Sequence, residues 1–191
     1  MSDHFKTRRR ILRGAVAAGL APIVASGLSS KALAGEPKLN VAFTHGVASG
    51  DPLANRVILW TRAVADGASD SFYVYWSISA RSDMRQAIGG GLVVASSESD
   101  WGCKVDATGL EPGKTYYYQF SYRKNRSPVG ITRTLPVGDV ANIKLAFFSC
   151  ANHPKGFFNV YREAARRDDL NAVLHLGDYI YEYGPTGYQT A

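Results

Sequence analysis

The residues best equipped for chemistry gather late in the chain, in His175-Leu176-Gly177-Asp178-Tyr179-Ile180-Tyr181-Glu182-Tyr183-Gly184. An apolar run, Ala172 to Leu176, stops at a Gly-Asp turn and presents Asp178 and Tyr181 three residues apart. Upstream, a second apolar run, Lys144 to Phe148, ends in Ser149-Cys150. A carboxylate, a phenol and a thiol delivered to the carboxyl ends of two strands are a plausible donor set for a metal ion. Once deprotonated they form a strongly anionic cluster that only a highly charged cation stabilises. Phenolate beside thiolate points to a redox-capable transition metal, ferric iron first, because zinc sites more often combine Cys with His. Asp178 has two oxygens and could bridge a second ion, and an ion pair could bind phosphate oxygens and activate water. Each residue also has a plainer use: Cys150 as a buried small hydrophobe, Asp178 closing a turn, Tyr181 as a core aromatic.

Positioning these groups calls for a strand-helix-strand unit. Ile143 to Phe148 reads as a strand covered on both faces, and Asn171 to Ile180 as its buried partner. Between them Phe157, Tyr161, Ala164 and Ala165 recur at helical spacing, with Arg166 and Arg167 placed in the last turn to suit the helix dipole. Such a β-α-β unit has parallel strands, so both carboxyl ends lie on one edge, where ligands of open α/β sheets gather. Asn152 and His153 follow Cys150 closely and are candidates for substrate contact. The helix start near Gly156 could add backbone donors for an anion. His175 lies within the strand and is expected to be a satisfied core residue, Tyr179 is left structural, and His45 receives no catalytic role.

The preceding segment has a different grammar. Arg56–Arg62, Phe72–Ser79, Gly91–Ala95, Cys103–Ala107, Thr115–Tyr122 and Val129–Leu135 read as strands, rich in Val, Ile and aromatic residues. Turn signals separate them at Gly50-Asp51-Pro52, Asp66-Gly67, Gly89-Gly90-Gly91, Glu111-Pro112-Gly113 and Lys124-Asn125. The spacing predicts an all-β sandwich of about seven strands. Leu110-Glu111-Pro112-Gly113-Lys114-Thr115-Tyr116 is similar to the fibronectin type III signature, in which a Tyr folds back over the sandwich corner to reach backbone. The fold class is therefore a fibronectin type III-like sandwich followed by the first β-α-β unit of a truncated α/β domain.

Charge separates the N-terminus from the rest. The chain has 191 residues and a formal charge of +6, but its first 34 residues hold six basic side chains against one carboxylate. The remainder carries 16 basic and 15 acidic groups, so no nucleic-acid-binding surface is indicated. Thr7-Arg8-Arg9-Arg10-Ile11-Leu12-Arg13 resembles a twin-arginine export motif, followed by an uncharged Ala/Gly-rich stretch and Ala32-Leu33-Ala34 before a cleavage point at Gly35. That stretch is short and weakly apolar for a membrane span, so no stable anchor is expected. The expected organisation is a signal peptide at 1–34, the sandwich at 35–136 and the start of a catalytic domain at 143–191. The expected localisation is periplasmic or secreted, with the twin-arginine machinery as export partner. Cys103 and Cys150 fall in different segments, which argues against a disulfide, and Cys103 is expected to be a buried hydrophobe.

Ser149 to Gly184 (SCANHPKGFFNVYREAARRDDLNAVLHLGDYIYEYG) closely resembles the PhoD-type alkaline phosphatases, within the calcineurin-like metallophosphoesterase group. The resemblance continues through Thr44–Arg62 (THGVASGDPLANRVILWTR) and Val105–Phe120 (VDATGLEPGKTYYYQF). It implies an exported phosphomonoesterase or phosphodiesterase that uses iron (Fe3+) with calcium to hydrolyse phosphate esters. It places Cys150 as a thiolate on iron, Asp178 as the carboxylate bridging the metals, and Tyr181 as a phenolate on iron. The usual Asp-x-His first motif of the wider group is absent, and Cys150 stands in its place. The remaining ligands and the nucleophile are not among these 191 residues, so the chain is expected to be an inactive, monomeric N-terminal fragment with an uncovered apolar face. The alternative from another class is a fibronectin-like adhesion module attached to an unrelated domain.

Overall fold

Alternating apolar residues with β-branched and aromatic side chains build ten strands between residues 40 and 133. The computed structural model describes residues 39–67, 70–153, 157–179 and 181. The segment expected to be a signal peptide, residues 1–34, together with Gly156 and Glu182-Tyr183-Gly184, therefore lies outside the described residues. Among those described, no helix is long and apolar enough to cross a membrane.

The strands are β1 (Asn40–Ala42), β2 (Val47–Gly50), β3 (Arg56–Arg62), β4 (Val64–Asp66), β5 (Ser71–Ser79), β6 (Ala87–Ser96), β7 (Gly102–Thr108), β8 (Thr115–Tyr122), β9 (Asn125–Arg126) and β10 (Gly130–Arg133). One sheet has the order β10-β8-β5-β6, with β9 on β8; a second has the order β2-β3-β7, and β1 pairs with β4. All these pairings are antiparallel. The core lies where the inward positions of the larger sheets meet: Val57, Leu59, Phe72, Val74, Tyr118 and Phe120 are almost fully buried. Phe72 meets Tyr122 edge-on at 5.4 Å, a geometry that aligns ring edge with ring face. The corner signature holds: the Glu111 backbone N–H donates to the Tyr116 hydroxyl at 2.9 Å.

The expected turn at Gly89-Gly90-Gly91 is instead the interior of β6, where these glycines pair with Ile78, Ser77 and Trp76. The chain actually reverses over residues 80–86, and bulky neighbours explain why glycine sits in the strand. A Cβ on Gly90 would stand 2.7 Å from the Trp76 carbonyl oxygen and 2.8 Å from the Tyr75 hydroxyl. Gly90→Ala is therefore expected to destabilise the fold by about 1–3 kcal/mol, because backbone cannot retreat as a flexible side chain can. An unchanged melting temperature would contradict that account. The short strands β1, β2, β4 and β9 were not anticipated, since two to four residues are too few to show a period.

Burial also gives the sandwich a pH dependence. Desolvation pushes the Cys103 thiol up to about 12, and the same effect pushes the Tyr118 phenol up to about 12. A raised pKa in the folded chain means that folding favours the protonated form. This contribution is complete below the unfolded values, near 8.5 for Cys and 10 for Tyr, and is lost as pH rises through the folded ones. Stability should fall from about pH 9 to pH 12, by up to roughly 1.4 kcal/mol per pH unit for each group. Denaturant midpoints at stepped alkaline pH check this, and Cys103→Ala should remove the earlier part of the decline.

The last elements are β11 (Leu145–Phe148), α1 (Asn159–Ala165) and β12 (Ala172–His175). β11 and β12 are parallel neighbours, with Leu145 opposite Ala172 and Phe148 opposite His175. β11 starts two residues later than expected and ends at Phe148 as expected, whereas β12 starts one residue later and stops at His175. α1 stops at Ala165, so Arg166 is its cap and Arg167 lies beyond it. There Arg166 pairs with Glu163 at 2.8 Å and Arg167 with Asp169 at 2.9 Å. The two strands are not buried on both faces: Phe147 is 58% exposed and Val173 57%. Among the described residues a single helix accompanies the parallel pair, which leaves an open apolar face as expected.

Candidate metal centre

Past the last ladder position the parallel pairing continues into irregular backbone. Phe148 O accepts from Leu176 N–H at 2.8 Å, Gly177 O from Cys150 N–H at 3.1 Å, and Asp178 O from Ala151 N–H at 3.1 Å. These bonds bring Cys150 and Asp178 side by side. Both residues have positive φ, 57° and 50°, with Gly177 between strand and turn at 129°. Left-handed backbone is rare and costly for residues carrying a Cβ, and it clusters at functional sites. Here it re-aims two side chains that a continued pleat would direct differently.

The three predicted ligands converge. The Cys150 thiol donates to Asp178 Oδ2 at 3.3 Å, and the Tyr181 hydroxyl donates to the same oxygen at 3.0 Å. The Cys150 sulfur first, then desolvation and the Asp178 carboxylate, hold the Tyr181 phenol well above its ordinary pKa. A phenol flanked by acceptors keeps its proton; a cation among the same three groups would favour its loss. The donors also fit a metal by spacing. Ligands bound at right angles, about 2.0–2.3 Å from an ion, lie roughly 3 Å from one another.

Other residues fall around this cluster. Ser149 Oγ is 3.4 Å from the Cys150 sulfur, a contact to which residue type alone gave no clue. Among the described residues, the Asn152 side chain makes no hydrogen bond to Cys150 or Asp178. His153 sets its ring edge-on to Phe157 and Phe158, with centroids at 5.7 and 5.0 Å. His175 is satisfied at both nitrogens, by Tyr161 Oη at 2.8 Å and Gly177 N–H at 3.4 Å. His45 is a surface residue bonded to Thr44 and Arg62. Cys103 and Cys150 are both free thiols, the first buried and the second exposed.

Comparison with known proteins places this architecture. Residues 28–136 match the N-terminal domain of the PhoD-like phosphatases, and residues 145–191 match the PhoD-like phosphatase family itself. The chain belongs to the PhoD-like phosphatase family. Alkaline phosphatase D of Bacillus subtilis (strain 168) is 37% identical over 196 residues, covering 95% of this chain and 33% of the relative. A solved structure of PhoD superimposes with a TM-score of 0.74 at 39% identity, over 79% of this chain and 30% of that one. The chain thus spans about a third of the length of these relatives. The match over residues 145–191 also removes the reading of the tail as the start of an unrelated domain.

Proposed function

We propose that the complete protein is an exported, metal-dependent alkaline phosphatase or phosphodiesterase whose metal centre is anchored by Cys150, Asp178 and Tyr181. The observation that carries this reading is the meeting of the thiol and the phenol on one carboxylate oxygen at the parallel strand ends. Cys150 and Tyr181 would hold iron as thiolate and phenolate, while Asp178 would bridge to calcium. When bound, such an ion pair neutralises phosphate oxygens, activates water and stabilises the leaving oxygen. To receive it, Cys150 and Tyr181 must give up their protons, and Asp178 must exchange two hydrogen-bond donors for cations. Asn152 and His153, beyond Cys150 on the same strand end, are assigned a substrate-facing role in the assembled enzyme.

Under this reading residues 1–34 are the twin-arginine signal peptide, 35–136 the sandwich domain and 143–191 the opening of the catalytic domain. The enzyme works in the periplasm or outside the cell, as a monomer, on phosphate esters. The exposed apolar faces of β11, β12 and α1 support a larger domain that covers them, and these 191 residues alone are expected to be inactive. Metal analysis combined with a phosphatase assay on the complete protein tests the proposal. It requires iron and calcium at stoichiometric levels and ester hydrolysis lost on chelation. A metal-free preparation with full turnover would overturn it.

A further inference from the structure

Asp178 must be held in an unfavourable backbone conformation, and two residues, His175 and Cys150, hold Gly177 just before it. Gly177 N–H donates to His175 Nδ1 at 3.4 Å, while Gly177 O accepts from Cys150 N–H. Accepting at Nδ1 requires a lone pair there, so the imidazole proton is on Nε2 and is donated to Tyr161 Oη at 2.8 Å. The Tyr161 ring is fixed in turn, edge-on to Phe148 at 4.9 Å and tilted against Phe158 at 5.3 Å. Tyr179 also meets the imidazole edge-on, with centroids 5.2 Å apart. An unbroken chain of contacts therefore runs from α1 through Tyr161 and His175 to the Gly177 peptide and on to Asp178.

We propose that Tyr161 and His175 are positioning residues which lock the left-handed Gly177-Asp178 turn and so aim the carboxylate at Cys150 and Tyr181; the inference rests on the metal-site reading above. An aliphatic residue at 175 would pack on the strand equally well but would release the Gly177 N–H. The turn could then rotate, and Asp178 Oδ2 would leave the point where sulfur and phenol meet. Partial desolvation, and Tyr179 nearby, keep the Tyr161 phenol above its ordinary pKa, consistent with a neutral hydroxyl receiving the imidazole proton.

The test uses the complete protein, wild type and with Tyr161→Phe, His175→Leu or His175→Asn. Iron affinity is measured by chelator competition, turnover with p-nitrophenyl phosphate, and folding by thermal midpoint. His175→Leu should weaken iron binding about 10–100-fold, with kcat falling and KM unchanged, as for other partners that orient a ligand from behind. Tyr161→Phe should move both quantities the same way by a smaller factor. His175→Asn, whose Oδ1 can replace Nδ1 as acceptor for Gly177, should restore most of the loss. If His175→Leu does not fold, the other two variants decide. Wild type that binds iron and turns over, with every variant equal to it in both, overturns the positioning role alone. An Asn variant no better than Leu at equal thermal midpoint does the same. Wild type that binds no iron overturns the site itself, and this inference with it.

Discussion

Asp178→Ala in the complete protein is expected to abolish stoichiometric metal binding and to lower kcat by more than about 100-fold. That exceeds the roughly 10–100-fold typical of residues that only orient a ligand. The carboxylate oxygen is the one atom to which both other candidate ligands point, at 3.3 and 3.0 Å. Without it the thiol and the phenol lose the carboxylate oxygen they share. Asp178→Asn makes the comparison sharper, since it keeps the shape and removes the charge. It should also lose most activity, because two anionic partners and a neutral amide neutralise a trivalent ion less well. Equilibrium dialysis with metal analysis reads the first effect and steady-state kinetics the second. Wild-type metal content in both variants would remove Asp178 from the centre.

Tyr181→Phe should change colour as well as rate. A phenolate bound to ferric iron absorbs in the visible, so the complete wild-type protein should be coloured and the variant bleached or shifted. The substitution deletes one oxygen and leaves the ring, so a loss of folding is not the expected cause of any change. Turnover should fall by at least the roughly 10-fold typical of residues that only orient a ligand, as one anionic donor is lost while Cys150 and Asp178 remain. Colour and rate are separate readouts. An unchanged spectrum with unchanged turnover would return Tyr181 to an ordinary structural role. An unchanged spectrum with reduced turnover would keep it near the site but off the iron.

The difference between these residues and their neighbours shows how far the chain can be read directly. Cys150 and Asp178 were legible because a strand that stops at Ser-Cys, and another that stops at Gly-Asp, reach one edge whenever the strands are parallel neighbours. His175 was legible only as a satisfied residue; its partner, Tyr161, arrives from a helical stripe whose period reports burial and not hydrogen bonding. Ser149 beside the sulfur had no signal at all, since serine at a strand end is common. Gly89-Gly90-Gly91 misled because consecutive glycines are good turn formers, whereas close packing by Tyr75 and Trp76 can demand the same residues inside a strand.

By itself, then, the order of residues determined the two grammars of the chain: strand upon strand to residue 135, then strand, helix, strand. It also nominated three candidate metal ligands, because hydrophobic period and turn chemistry are local properties that survive without coordinates. Only the tertiary structure decided that sulfur and phenol meet on the same carboxylate oxygen. That outcome depends on the pairing of β11 with β12 and on two residues forced into left-handed backbone. Neither is encoded locally, since the free energy that holds a disfavoured φ comes from hydrogen bonds made across the strands by residues distant in the chain.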